Sequence, residues 1–162
     1  MSEILSFDPT AREEGIVQER YTKGFDGEYA FPDVFVSKWQ NGSAAFEIQL
    51  STTQIPTIVR RELFYKKNLI RLCWIVDRVS EEQLSKRSFK DIYLRNDGQI
   101  FGVDEEVLKK ARLDGKPHFR LYRLLPTSVR SDLTPHFKDR IVSSDEINWG
   151  EQEDRPSVTF RK

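Results

Sequence analysis

The chain has 162 residues, 38% of them hydrophobic and 12% aromatic, which is enough apolar surface for one sizeable core. Its 26 basic and 26 acidic side chains give a formal net charge of zero. That balance excludes a generally positive surface and leaves any nucleic-acid affinity to a local basic patch. The lone cysteine, Cys73, excludes an intramolecular disulfide, and no Cys/His cluster has zinc-site spacing.

In chain order, Asp8-Pro9-Thr10 followed by Ala11 to Gly15 carries an N-cap residue, a proline in the first turn and a closing glycine, and predicts one short helix. Ile16 to Lys23 alternates as a first strand, ended by Gly24-Phe25-Asp26-Gly27. Asp33 to Trp39 is a second strand, Asn41-Gly42 a hairpin turn and Ala44 to Leu50 a third strand, so the start of the fold reads as an antiparallel meander. Period two sets Phe46, Ile48 and Leu50 on a core face and Glu47, Gln49 and Ser51 on the other.

Thr52 to Asn68 switches to helical spacing, with Ile55, Ile58, Val59 and Leu63 as its apolar stripe. Arg71 to Val76 follows as an almost unbroken apolar strand, the pattern of one buried on both faces, and the three elements together imply a βαβ crossover. Further on, the sequence predicts a short helix at Ser80–Leu84, a hairpin within Asp91–Val103 turning at Asn96-Asp97-Gly98, a helix from Glu105 to Arg112 and a strand from His118 to Leu125. The fold class is therefore α/β (α+β): a mixed sheet, an antiparallel meander followed by a βαβ crossover, flanked by helices. Residues 1–125 form the domain and residues 126–162 a polar C-terminal extension. No segment reads as a signal peptide or approaches the ~20 apolar residues of a membrane span, so a soluble cytoplasmic protein is expected.

The chemistry-bearing residues gather in the first hairpin. Asp33 opens one strand and Glu47 sits mid-strand in its neighbour, so antiparallel pairing brings two carboxylates to one cross-strand distance. Converging carboxylates are what a Mg²⁺- or Mn²⁺-dependent nuclease needs, and the backbone carbonyl of Ile48 offers a further hard oxygen ligand. On the helix, Gln54, Arg61 and Tyr65 fall in one narrow sector. Arg60, Arg61, Lys66, Lys67 and Arg71 form a basic cluster suited to phosphates. The plainer alternatives are a turn role for Asp33, a solvated strand face for Glu47 and Gln49, and a solvated helix surface for the cations. Glu62 falls inside the apolar sector and, as a buried carboxylate, calls for an arginine partner.

Pro32-Asp33 followed by Glu47-Ile48-Gln49 resembles the core motif of the PD-(D/E)xK nuclease superfamily, with glutamine at the lysine position. The ordered series Phe46-Glu47-Ile48-Gln49-Leu50-Ser51, Arg61-Glu62-Leu63-Phe64-Tyr65 and Cys73-Trp74-Ile75-Val76 is similar to the nuclease-like domain of competence protein CoiA and related uncharacterised bacterial proteins, over roughly residues 13 to 77. The resemblance implies a restriction-endonuclease-like sheet, Asp33 and Glu47 as metal ligands, Gln49 in place of the usual lysine, and a further glutamate ligand at Glu13, Glu14 or Glu19. It implies a metal-dependent nuclease acting on DNA, with RNA as another substrate class. The alternative is a catalytically weak or inactive nuclease-fold module that binds nucleic acid or a protein partner, as a homodimer or within a larger assembly. Since an amide carries no positive charge, Arg61 is the candidate cation for the transition state, with Tyr65 positioning it.

Overall fold

The computed structural model describes residues 1–40, 42–50, 55–77, 80, 82, 87–124, 137–150 and 156–158. Two short helices, α1 (Ser2–Leu5) and α2 (Pro9–Glu14), precede β1 (Ile16–Gln18); a small hairpin, β2 (Thr22–Lys23) and β3 (Tyr29–Ala30), follows. Then come β4 (Val34–Trp39), β5 (Gly42–Gln49), α3 (Ile55–Lys67), β6 (Arg71–Asp77), α4 (Arg87–Arg95), β7 (Gln99–Val103), α5 (Glu105–Asp114), β8 (His118–Leu124) and β9 (Phe137–Ser143). Seven of the strands form one mixed sheet in the order β1-β4-β5-β6-β7-β8-β9, and β2 and β3 form a separate two-stranded ribbon.

The meander and crossover expected from the sequence are both present. β4 pairs antiparallel with β1 and β5, whereas β5, β6 and β7 are parallel neighbours joined through α3 and α4. Parallel neighbours need a crossover, and a helix on the sheet face is the usual way to make one. Asn41 lies outside the described residues, but Trp39 faces Gly42 at the hairpin end.

Alternation splits the sheet into two cores. Val34, Val36, Phe46, Cys73, Ile75, Phe101, Phe119 and Leu121 line one face, covered by Leu5 and Ala11 of the first helices and by Ile147, Trp149 and Val158. Phe35, Ala45, Leu72, Trp74, Val76 and Ile100 line the other, covered by α3 and α4 through Ile58, Phe64, Tyr65, Phe89, Ile92 and Tyr93. The result is a three-layer sandwich with helices on both faces.

Several sequence expectations need correction. The strand read across Ile16–Lys23 breaks at Glu19, a non-glycine residue at φ 47, and the chain leaves the sheet there to build the β2–β3 ribbon. The hairpin read across Asp91–Val103 is a helix running into a strand: Phe89, Ile92 and Tyr93 are buried at helical spacing. The left-handed Asp97 and Gly98, with the Gly98 N–H donating to the Tyr93 carbonyl at 2.7 Å, close the helix rather than turn a hairpin.

The segment read as a polar extension contains β9, which pairs with the whole length of β8. Beyond it Trp149 sits edge-on to Trp39 at 5.2 Å and to Phe119 at 5.6 Å, inside the first core. Apolar residues spaced among charges hid both features. The short helix expected at Ser80–Leu84 lies, apart from Ser80 and Glu82, outside the described residues. Among the described residues no helix is long and apolar enough to cross a membrane.

Candidate functional site

The register Val34↔Phe46 and Phe35↔Ala45, continued by one residue, sets Asp33 opposite Glu47, on the sheet face that α3 covers. Residues directly opposed across an antiparallel pair have Cβ atoms about 5 Å apart. The Ile48 N–H donates to Asp33 Oδ2 at 2.6 Å, which pins the carboxylate at the end of β4. A strand residue's N–H and C=O leave by the same edge, so the Ile48 carbonyl belongs to this corner as well.

The face carrying Glu47 and Gln49 is interior, not solvated: Glu47 is fully buried and Gln49 is 4% exposed. The helix has turned to meet it. Its buried residues are Ile58, Glu62, Phe64 and Tyr65, whereas Leu63, expected in the apolar stripe, is 62% exposed. Arg61 and Tyr65, one helical turn apart, both reach the same carboxylate. Arg61 Nη1 lies 2.5 Å from Glu47 Oε2, and the Tyr65 hydroxyl donates to Oε1 at 2.5 Å. A buried charge without partners would be very costly, and these two groups satisfy it.

Burial is the largest influence on Glu47 and raises its carboxyl pKa to about 7. The neighbouring Asp33 carboxylate pushes the same way, while the Tyr65 hydroxyl and the Arg61 guanidinium pull against it. Burial, reinforced by the Glu47 charge, holds the Tyr65 phenol firmly protonated.

The remaining candidates separate. Glu19 stays close, since its backbone N–H donates to the Asp33 carbonyl at 3.3 Å, and its side chain is exposed. Glu13 and Glu14 are not brought to the site. Glu14 meets Ser37 and Lys38 instead, and Lys38 is five residues along β4 from Asp33, roughly 16 Å of strand. Among the described residues no group of three or more His, Cys, Asp or Glu side chains converges.

Arg71 is a correction too. It shares the alternation of Cys73 and Ile75, so it faces away from α3; it is 4% exposed and donates to the Trp39 carbonyl at 2.7 Å. Burial lowers its pKa, and its work is to hold the β4–β5 turn. Arg60, Lys66 and Lys67 are exposed on α3, with Lys67 paired to Asp26 and, at 3.4 Å, to Glu28. Glu62 has the arginine partner its burial demanded, Arg95 at 3.1 Å.

Sequence reasoning missed the wall beside this site. Glu28, Tyr29, Ala30 and Phe31 from the ribbon, with Arg60, Arg61, Leu63, Phe64 and Lys67 from α3, line an open groove of about 560 Å³. Tyr29 and Phe31 stand two apart, the spacing that sends both to one side of a strand, and this signal was available in the sequence.

Residues 17–123 match the model of a family described as a domain of unknown function, DUF6035. The match covers more than half of the chain. The chain belongs to this family. The region that defines DUF6035 here runs from β1 to β8 and so takes in Asp33, Glu47, Arg61, Tyr65 and the whole groove. Neither the curated proteins nor the solved structures yield a match.

Proposed function

We propose that this domain is a metal-dependent nuclease of the PD-(D/E)xK type, similar to the nuclease-like domain of CoiA, hydrolysing phosphodiester bonds in DNA in the cytoplasm. One observation carries the reading: Asp33 and Glu47 oppose each other on a covered sheet face, and Arg61, ion-paired to Glu47, also lines the adjoining groove.

The donor set fits a hard divalent cation, because Asp33 and Glu47 offer carboxylate oxygens and Ile48 a carbonyl oxygen. A bound Mg²⁺ or Mn²⁺ would supply Lewis-acid polarisation of a phosphoryl oxygen and a water of lowered pKa. Tyr65 orients the Glu47 carboxylate through its hydroxyl. Arg61 supplies the positive charge that Gln49 lacks: its side chain is 36% exposed, so a phosphate entering from the groove meets the guanidinium directly. The Gln49 amide, on the same face, can hydrogen-bond a water or phosphate oxygen.

The test is cleavage of single-stranded DNA, duplex DNA and RNA with Mn²⁺. The expected result is cutting by the wild type and a loss of ~100-fold or more in Glu47→Ala. No cutting of any substrate, or equal cutting by the variant, refutes the proposal. A second reading, a binding module without catalysis, is favoured by the engagement of both Glu47 oxygens by Arg61 and Tyr65 and of Asp33 Oδ2 by the Ile48 N–H. Calorimetric titration with Mn²⁺ separates the two: carboxylate-dependent heat belongs to the nuclease alone.

A further inference from the structure

The β2–β3 ribbon presents a cluster of three aromatic rings to solvent. Tyr21 and Tyr29 stack at 5.4 Å with planes 29° apart, and Phe31 meets them edge-on at 5.6 and 5.8 Å. Tyr21 is 53% exposed, Tyr29 62% and Phe31 51%. Aromatic pairs across a ribbon help to hold it together, but that role alone would not leave each ring half open to water.

Nor does the ribbon depend on the rings for its position. Asn68, at the end of α3, accepts from the Phe25 N–H at 2.6 Å and donates to the Phe64 carbonyl at 2.8 Å and to Glu28 at 3.3 Å. Lys67 adds its pairs to Asp26 and Glu28. Gly24 lies so close to this latch that a Cβ there would come within 2.8 Å of the Asn68 amide. The ribbon is therefore held against α3, with Tyr29 and Phe31 lining the groove alongside Arg60 and Arg61 and Tyr21 in ring contact with both.

Open aromatic faces next to guanidinium groups match the chemistry of an unpaired nucleotide strand, which offers base planes to stack and phosphates to pair. A duplex hides its base planes, and an apolar protein surface has no use for the two arginines. We infer that the ribbon is a stacking platform for unpaired bases and that the strand delivered to the Asp33–Glu47 corner is single-stranded nucleic acid. The inference rests on the nuclease-fold reading for the direction of the strand, though the binding it describes needs no metal and no cleavage.

The experiment uses the full chain in EDTA, where cleavage does not enter. Fluorescence anisotropy would compare a labelled dT oligonucleotide of about 16 nucleotides, an rU oligonucleotide and a duplex of the same length. The wild type is expected to bind the single strands at least ~10-fold more tightly than the duplex. The variant combining Tyr21→Leu, Tyr29→Leu and Phe31→Leu, which keeps apolar area but removes the π faces, is expected to lose ~30-fold or more in single-strand affinity. Unchanged far-UV circular dichroism would show that the leucine variant is folded.

As a second measure, Tyr29→Trp at saturating oligonucleotide is expected to show quenching of the added tryptophan emission that the wild type, whose Trp39, Trp74 and Trp149 are buried, does not show. Equal affinity for duplex, no single-strand binding, undiminished binding by the leucine variant or no quenching overturns the platform; retention by leucine would assign the binding to phosphate contacts with the cations of the groove instead. Because metal is absent, these outcomes are independent of whether Glu47→Ala abolishes cutting.

Discussion

The two faces of the central sheet are built on opposite principles. On the face covered by α1, α2 and Trp149, the core is mostly apolar and aromatic, with Trp39 and Phe119 each in ring contact with both Phe46 and Trp149, and its buried Arg71 and Gln99 are spent on backbone groups. On the face covered by α3, Glu47 and Tyr65 are fully buried and Glu62 nearly so, each drawn into polar contacts. A well-packed apolar set in place of a buried ion pair is often neutral or stabilising, so folding alone does not require Glu47, Arg61 and Tyr65. The contrast gives the first face to stability and, on the proposed reading, leaves the second for chemistry.

That assignment can be broken in three ways. The largest effect is expected on the apolar face: Phe119→Ala removes a fully buried ring and should cost about 3–5 kcal/mol of unfolding free energy by denaturant titration. It should leave the residual affinity for oligonucleotides intact wherever the protein stays folded. Loss of affinity in proportion to stability would erase the distinction between the faces.

The next effect is a pH dependence from Glu47, measured in EDTA. Its folded pKa of about 7 stands above the ordinary glutamate value of 4.5, so between the two the native state holds a proton that the unfolded state has released. Stability from this group is therefore full below about pH 4.5 and is lost as pH rises toward 7, by on the order of 3 kcal/mol. Glu47→Gln cannot titrate and should flatten that slope. A slope unchanged in the variant would mean that another group carries it.

The smallest effect sharpens the second. Tyr65→Phe keeps the buried ring but deletes the hydroxyl that favours the Glu47 carboxylate. It should cost about 2 kcal/mol at pH 8 and much less at pH 4, and should carry the loss of stability to higher pH. An equal cost at both pH values would assign Tyr65 to packing alone.

Much of the architecture was legible because short-range signals and long-range packing agree. The Gly42 hairpin, the period-two alternation of Phe46 to Gln49 and the uninterrupted apolar run from Leu72 to Val76 each had one physical solution in a sheet. The pairing of Asp33 with Glu47, and of Glu62 with an arginine, followed from register and from the cost of burying a charge. The rotation of α3 was not legible, because it is Glu47 that draws Arg61 and Tyr65 inward and leaves Leu63 outside; periodicity counts apolar residues and has no term for a buried polar partner. Nor was β9, whose exposed Lys138, Asp139 and Arg140 mask the alternation of a strand, nor Trp149, whose burial depends on rings from three separate strands, Trp39 and Phe46 among them more than a hundred residues earlier.

Those three charges on β9 have a consequence of their own. Among the described residues β9 is the outermost strand of its side of the sheet, a position where unpaired backbone groups invite the strand of another molecule. Arg140 reaches Glu146 at 2.8 Å and Asp139 meets Arg120 at 2.6 Å, so a newcomer adding along this edge would have to strip water from fixed ion pairs before gaining a single ladder bond. The protein guards this border electrostatically, and growth of the sheet into an aggregate is resisted at the place where its geometry would otherwise permit it.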